Sequence, residues 1–188
     1  MKALLLSVRP EHALNILNGS KTLELRKSVP KGFKGWVYVY VTKGKPYLIK
    51  HPYHSYMAIE QKGFDDLNGT VPFRFWFDEY EEVLVQHHID SEQIERVLKQ
   101  ACIEHDDLDN YVGNKETIYA WHIKNLDIFS EPMKLGEFYK TKGKYLQDYE
   151  RAVLDYKNRL IESESTLKKI SITKAPQSYM YVYVKEEV

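Results

Sequence analysis

The sequence predicts an α+β domain in which strands and short helices follow one another without regular βαβ alternation. Several short runs alternate apolar and polar residues with a period of two, the helical stripes are short, and no internal repeat or low-complexity segment is present. A length of 188 residues with a hydrophobic fraction of 43% is enough to build a core. We therefore expect one domain over residues 1–188.

A strand and a short helix are the first predicted elements. Residues 3–9 alternate as a strand, and one face of that strand ends in Ser7 and Arg9. Pro10 suits a first helical turn, because the N–H that proline lacks would be unpaired there. Gly19 suits the end of the helix, since glycine accepts the left-handed conformation common at that position.

Two strands with contrasting faces follow the helix. Residues 22–26 place Leu23 and Leu25 on one face, so the polar residues between them share the other face. Residues 35–42 place valines on one face, and Lys43 begins the turn that ends this strand. The opposite face of the strand carries Trp36, Tyr38, Tyr40 and Thr42.

The rest of the chain predicts shorter elements. No element is assigned to residues 47–67, where Tyr, His and Pro are mixed without a period. Alternation with a period of two predicts the remaining strands, and apolar stripes with a period of 3.6 residues predict the remaining helices. Strands are expected at 71–77, 83–86, 117–123 and 179–184, and helices at 91–101, 107–112 and 145–161, with a helical turn at 135–139.

Charge is distributed unevenly along a chain whose formal net charge is zero. Residues 1–50 hold ten Lys and Arg against two acidic residues, whereas residues 51–130 hold six against sixteen. The basic third can attract phosphate-bearing partners, or it can face the acidic middle within the fold. The one cysteine excludes an internal disulfide, and no apolar run is long enough for a membrane span. We expect a cytoplasmic protein without membrane attachment.

A compact motif lies between the first helix and the second strand. Residues 19–26 follow the pattern Gly-x-Lys-x-x-Glu-x-Arg, and the order strand, helix, motif, turn, strand surrounds it. In this motif and order the chain resembles the ASCH domain family. The segments at 119–123, which includes His122, and at 174–179 also resemble later parts of bacterial and phage ASCH proteins.

The resemblance implies both a fold and a ligand. It implies a PUA-like mixed β-barrel with flanking short helices and a longer helix in the C-terminal half. Residues 47–67 and 140–172 fall outside the resemblance and are expected to be elaborations. A cleft beside the barrel and an RNA or nucleotide ligand are implied as well. The chain is expected to be a monomer or a homodimer.

The motif brings three charged side chains into one stretch. Alternation places Glu24 and Arg26 on the strand face of Thr22, with Lys21 at its head. Arginine offers a rigid fork for phosphate, and lysine is a point charge whose pKa falls on desolvation. A structural ladder of ion pairs is the alternative interpretation, and the resemblance favours a ligand cleft.

Further ligand-binding candidates surround the motif. Ser7 and Arg9 lie on a strand expected to neighbour residues 22–26, and the aromatic face of residues 35–42 is either a base-stacking wall or core packing. Gln177-Ser178 is suited to hydrogen bonding with a base or to turn formation. The full set of ligand-binding candidates is Ser7, Arg9, Lys21, Thr22, Glu24, Arg26, Tyr40, Thr42, Lys43, His122, Gln177 and Ser178.

Catalysis is the second hypothesis. In the related acetylcytidine amidohydrolases the motif is Lys-x-x-Thr-x-Arg with a threonine nucleophile, and this chain has Glu24 at that position. Thr22 is shifted by two residues and does not replace it. The enzyme expected under this hypothesis is a metal-independent ribonuclease or nucleoside amidohydrolase that uses Lys21 and Glu24 as acid and base. His51 and His54 flank a proline and lack a third ligand, so no metal or other cofactor is expected. A protein-interaction module using the acidic middle and the 145–161 helix is the third hypothesis.

Overall fold

The computed structural model describes residues 1–51, 55–63, 66–85, 92–141 and 170–184. They form strands and three α-helices, so the predicted α+β class is confirmed. The helix expected at 145–161 lies outside the described residues. The elements are β1 (Lys2–Val8), α1 (Pro10–Leu17), β2 (Leu23–Arg26), β3 (Gly35–Val41), β4 (Tyr47–Lys50), β5 (Tyr56–Ile59), β6 (Val71–Phe77), β7 (Tyr80–Leu84), α2 (Glu92–Ala101), α3 (His105–Val112), β8 (Thr117–His122), β9 (Lys124–Met133), a 3-10 turn (Leu135–Glu137), β10 (Phe138–Lys140) and β11 (Tyr179–Val184).

The strands are arranged in three sheets. Sheet A has the order β10-β11-β1-β3-β6-β9, in which β1 and β3 are parallel and the other neighbours are antiparallel. Sheet B has the order β2-β8-β7, and β4 pairs with β5 in the third sheet. No closed barrel is formed by the described residues, so the barrel implied by the resemblance stays a prediction.

The central strands of sheet A, β1 and β3, are buried on both faces. Leu4 and Leu6 of β1 pack with the valines of β3 and the phenylalanines of β6 in a first core, under α1. Leu5 packs on the opposite side in a separate core, here called the rear core, together with Tyr38 and Tyr40. Because β11 and β3 flank β1, even the polar end of this strand is enclosed, and Ser7 is buried.

Sheet B packs against the helices. Leu23 and Leu25 of β2 join a third cluster, here called the helical core, with Val97 of α2 and Leu108 of α3. The predicted alternation of β2 is therefore confirmed, and the other face of this strand points away from the helices. This orientation determines where the motif side chains lie.

Several elements differ from the predicted ones. β4 and β5 lie in the stretch without an assignment, because strands of four residues carry little periodic signal. The strand expected at 83–86 begins earlier, at Tyr80. Its start was not predicted because consecutive acidic residues interrupt the alternation of apolar and polar residues there. β9 is ten residues long, although only the residues from 128 to 132 suggested an extended exit from β8.

The end of α2 has a capping geometry that the sequence did not indicate. The Ile103 N–H donates to the Leu98 carbonyl at 3.2 Å, and the Cys102 N–H donates to the Lys99 carbonyl at 3.3 Å. These are the two bonds of a Schellman motif, with Cys102 left-handed at φ 52°. Cys102 lies just beyond the helix and is half-buried.

Replacing Cys102 by glycine should stabilise the protein. A left-handed backbone costs an L-residue about 1 kcal/mol that glycine does not incur, so Cys102→Gly should raise the free energy of unfolding by about that amount. Urea titration followed by circular dichroism measures the change. Cys102→Ala is the matched control, because alanine keeps the strain. Equal stability of the glycine and alanine variants would contradict the assignment.

Candidate functional site

The polar face of β2 lies beside the aromatic face of β8. In the antiparallel pairing Glu24 is opposite Trp121, and Arg26 is opposite Tyr119. Directly opposed residues of an antiparallel pair share one face of the sheet. Because the leucines of β2 enter the helical core, Glu24 and Arg26 face the first core, to which Trp121 belongs.

Lys21, Glu24 and Arg26 form a buried ion triad. Glu24 Oε1 lies 2.6 Å from Arg26 Nη2, and Glu24 Oε2 lies 3.3 Å from Lys21 Nζ. The exposed fractions of the three residues are 3%, 5% and 8% in chain order. Buried charges persist when they are paired and hydrogen-bonded, and here one carboxylate serves two cations. The motif side chains therefore converge beneath the surface.

Lys21 connects the triad to α2. Its ammonium group donates a hydrogen bond to the Ala101 carbonyl at 2.8 Å, and the Thr22 N–H donates to the Gln100 carbonyl at 2.9 Å. The last carbonyls of a helix have no partner within the helix, and a cation is favourable at that end. Lys21 is thus held by both the helix end and Glu24.

Arg26 connects the triad to β1 and to the segment before β11. Its Nη2 donates to the Ser7 carbonyl at 2.8 Å. The Ser7 hydroxyl donates to the Pro176 carbonyl at 2.7 Å, and the Ser7 N–H donates to the Ser178 carbonyl at 3.0 Å. The structure therefore joins the predicted candidates Ser7, Arg26 and Ser178 through backbone carbonyls.

His12 of α1 is a neighbour of the triad that the sequence analysis missed. Burial lowers the pKa of His12, Lys21 lowers it further, and Glu24 acts in the opposite direction. Its Nδ1 is buried without a hydrogen-bond partner among the described residues. In the sequence, the feature that could have indicated His12 is its position on the first helix, next to the buried Ala13 and upstream of the motif.

The electrostatics of Glu24 are dominated by its two cations. Burial alone would raise the pKa of this carboxyl group, but Lys21 and Arg26 together lower it below its ordinary value of 4.5. Glu24 is therefore a carboxylate at neutral pH. Because the carboxylate balances only one of the two cations, the triad keeps one positive charge in the interior.

Two buried hydrogen-bond donors beside Glu24 have no acceptor among the described residues. They are Arg26 Nε and Trp121 Nε1. Both groups can donate a hydrogen bond and neither can accept one. Buried polar groups are normally paired, so two unpaired donors on one sheet face indicate a site suited to acceptor atoms.

Three partly exposed tyrosines, here called the aromatic rim, border this site. The Tyr179 ring meets Trp121 edge to face, with the ring centroids 5.1 Å apart. Tyr80 and Tyr119 meet in the same way at 5.7 Å, and Tyr80 is 42% exposed. Tyr119 and Tyr179 are half-buried. A pair of this kind contributes packing energy beyond the area that it buries.

The other aromatic candidates lie elsewhere. Tyr40 is 6% exposed and Tyr38 is 3% exposed, and both belong to the rear core, where Tyr38 packs on Phe138 at 5.2 Å. Both rings are packed in this core, which is the arrangement expected under the alternative to a stacking wall. His122 is opposite Leu23, so it lies on the other face of sheet B from Glu24, 3.8 Å from Glu81.

The remaining candidates lie at or near the surface. The side chain of Arg9 is 77% exposed and lies 3.9 Å from Glu11. Thr42 is half-buried, and its N–H donates to the Val8 carbonyl at 2.9 Å. Three further candidates are exposed, namely Thr22, Lys43 and Gln177.

Membrane and metal features were also sought in the described ranges. None of α1, α2 and α3 is long and apolar enough to cross a membrane. Within those same ranges, no group of three or more His, Cys, Asp or Glu side chains is placed to hold a metal ion.

Comparison with solved structures shows that the chain has an ASCH-type fold. It is similar to the crystal structure of ASCH from Zymomonas mobilis, with a TM-score of 0.54, 15% identity, and coverage of 95% of this chain and 86% of that one. A tyrosine-to-phenylalanine variant of the same protein gives a TM-score of 0.54 and 15% identity, with coverage of 96% of this chain and 90% of that one. A serine-to-alanine variant gives a TM-score of 0.54 and 14% identity, with coverage of 95% of this chain and 87% of that one. No protein-family model and no curated protein sequence matches the chain.

Neutralising Glu24 should destabilise the fold and change its response to acid. Glu24→Gln leaves two buried cations without a counter-charge, for which we expect a loss of about 3–5 kcal/mol in the free energy of unfolding. Because the folded pKa of Glu24 is lowered, its contribution is complete above pH 4.5 and is lost as pH falls through the folded value. Glu24→Gln should remove this acid-dependent component.

Chemical denaturation between neutral pH and pH 3 measures both effects. Glu82→Gln is the control, since Glu82 is exposed on β7 and should change stability little. A Glu24→Gln variant as stable as the Glu82→Gln variant would contradict the triad.

Removing His12 should flatten the pH dependence of stability just below pH 6.5. The folded pKa of His12 is lowered from 6.5, so the unfolded chain binds the proton first and stability falls as pH drops below 6.5. His12→Gln abolishes that linkage. Unfolding free energies measured across this range give the slope, and His105→Gln at an exposed position is the control. An unchanged slope for His12→Gln would refute the assigned environment.

Proposed function

We propose that this ASCH-type fold binds RNA or a nucleotide at the polar face of β2, with the aromatic rim as its stacking surface. The observation that carries the proposal is a juxtaposition on neighbouring strands. The Glu24–Arg26 pair and the indole of Trp121 supply hydrogen-bonding groups, and partly exposed tyrosines stand beside them. Edge recognition and ring stacking are the two contacts that unpaired bases offer to proteins.

Stacking on the rim would supply the affinity that is independent of sequence. Every base has a π face, and one base stacked on an aromatic side chain contributes about 1–3 kcal/mol. Tyr119 and Tyr179 are half-buried, so each ring is held in place while part of it remains accessible. The rim tyrosines replace Tyr38 and Tyr40 in this role.

Exposed basic residues support a phosphate-bearing ligand. Eight of the ten Lys and Arg in residues 1–50 are exposed, and the other two, Lys21 and Arg26, are buried. One of them, Lys45, lies 3.4 Å from Glu60 of the acidic middle. The basic third therefore keeps a field of exposed charge that can attract an RNA backbone.

Hydrolysis by Lys21 and Glu24 receives less support from the geometry. The Lys21 ammonium group already donates to the Ala101 carbonyl and lies 3.3 Å from Glu24 Oε2, so both of these partners hold it in place. A nucleophile or general base must reach its substrate within hydrogen-bond distance. The position of Lys21 suits holding Glu24 in place better than proton transfer to or from a substrate.

Replacing rim tyrosines should weaken RNA binding. Tyr119→Leu and Tyr179→Leu each remove a stacking ring, so we expect about a tenfold loss of affinity or more for each. Fluorescence anisotropy with a labelled single-stranded RNA of about ten nucleotides measures it. Tyr47→Leu in β4, away from the rim, is the matched control. Binding equal to wild type in both rim variants would eliminate the rim as the stacking surface.

A further inference from the structure

The floor of the proposed site has a definite order of hydrogen-bonding groups. Trp121 Nε1 and Arg26 Nε are unpaired donors among the described residues. Glu24 lies opposite Trp121 on the adjacent strand and two residues from Arg26 on its own strand. Each carboxylate oxygen has about two lone-pair positions, so Glu24 can accept a further bond beside Lys21 and Arg26. By strand register, the acceptor Glu24 is therefore adjacent to both residues that carry an unpaired donor.

We propose that this array recognises the imide edge of a uracil base, an inference that rests on the proposed function. Uracil presents O4, N3–H and O2 along that edge, which is an acceptor, a donor and an acceptor. The N3–H would donate to Glu24, and the two carbonyl oxygens would accept from Trp121 Nε1 and Arg26 Nε. Both unpaired donors of the array then have a partner.

The other RNA bases do not match the array. Cytosine offers a donor followed by two acceptors, and guanine an acceptor followed by two donors. Adenine offers an amino donor and one acceptor on the same edge. Each of these bases would leave a buried donor unpaired or set an amino group against an N–H. Because such a mismatch is costly in a buried site, uracil should be preferred by about ten- to hundredfold.

Access to the array requires a side chain to move. Both unpaired nitrogens are enclosed, and Tyr179 packs on Trp121 while remaining half-buried. The Tyr179 hydroxyl is 3.5 Å from Ser28 Oγ, which is too long for a strong hydroxyl hydrogen bond. Tyr179 is therefore the side chain that turns away from Trp121, and its ring can then stack on the base.

Isothermal titration calorimetry of the full chain with nucleoside monophosphates tests the inference. UMP should bind at least about tenfold more tightly than CMP, GMP or AMP. A 3-methyl group on UMP removes the N3–H and adds bulk, so this analogue should lose the preference entirely. The analogue tests the wild-type protein and needs no variant. UMP binding that equals that of 3-methyl-UMP or of AMP would overturn the inference.

Trp121→Phe removes the indole donor and keeps a large ring. It should reduce UMP affinity by about tenfold while CMP affinity changes little. Trp36→Phe is the matched control, because Trp36 packs against Trp76 and Arg74 away from the array. Equal affinity of the Trp121→Phe and wild-type proteins for UMP would reject the indole as a donor to the base.

Oligonucleotides distinguish a free nucleotide from uridine within RNA as the ligand. They also distinguish failure of the uracil inference from failure of the proposed function. Oligouridine that binds much more tightly than UMP assigns the site to uridine within RNA, and equal affinity assigns it to the free nucleotide. Binding of all four homopolymers without preference would overturn the uracil inference and leave the proposed function standing. Absence of binding by every nucleotide and RNA would overturn both.

Discussion

The structure depends on the Glu24 carboxylate, which lies between Lys21 and Arg26. Through Lys21 it is joined to the last carbonyl of α2, and through Arg26 to the Ser7 carbonyl of β1. One buried acid thus links the helical core to sheet A across the short strand β2. Because both cations need the same counter-charge, the positions of β1, β2 and α2 relative to one another are coupled through a single group.

Stability alone does not account for so much charge in an interior. Apolar residues of similar volume are often as stabilising as a buried ion pair, because removing two charges from water is costly. The triad and the neighbouring Trp121 also have an excess of donors, since Arg26 Nε and Trp121 Nε1 have no acceptor among the described residues. In the proposed site a ligand would supply the missing acceptors, which a purely structural ladder leaves unfilled.

Local features of the sequence predicted the parts of the site that depend on neighbouring residues. Alternation placed Glu24 and Arg26 together and sent Leu23 to the opposite side, because a strand has a fixed period of two. Burial of the triad was not predictable, since it arises from the end of α2, 80 residues beyond Lys21 in the chain. The rim residue Tyr119 was likewise hidden, because alternation gives the face of a residue and leaves unknown which sheet or core covers it.

The distribution of charge separates two kinds of ligand contact. A phosphate placed inside the site would meet the one excess positive charge of the triad, but it would also have to leave water entirely, and removing an ion from water is costly. A neutral base meets no such cost and can donate a proton to the Glu24 carboxylate in a hydrogen bond. The phosphate is better placed outside, where basic residues such as Arg9 are exposed. In the proposed site a nucleotide would therefore bind with its base inward and its phosphate toward the exposed basic residues.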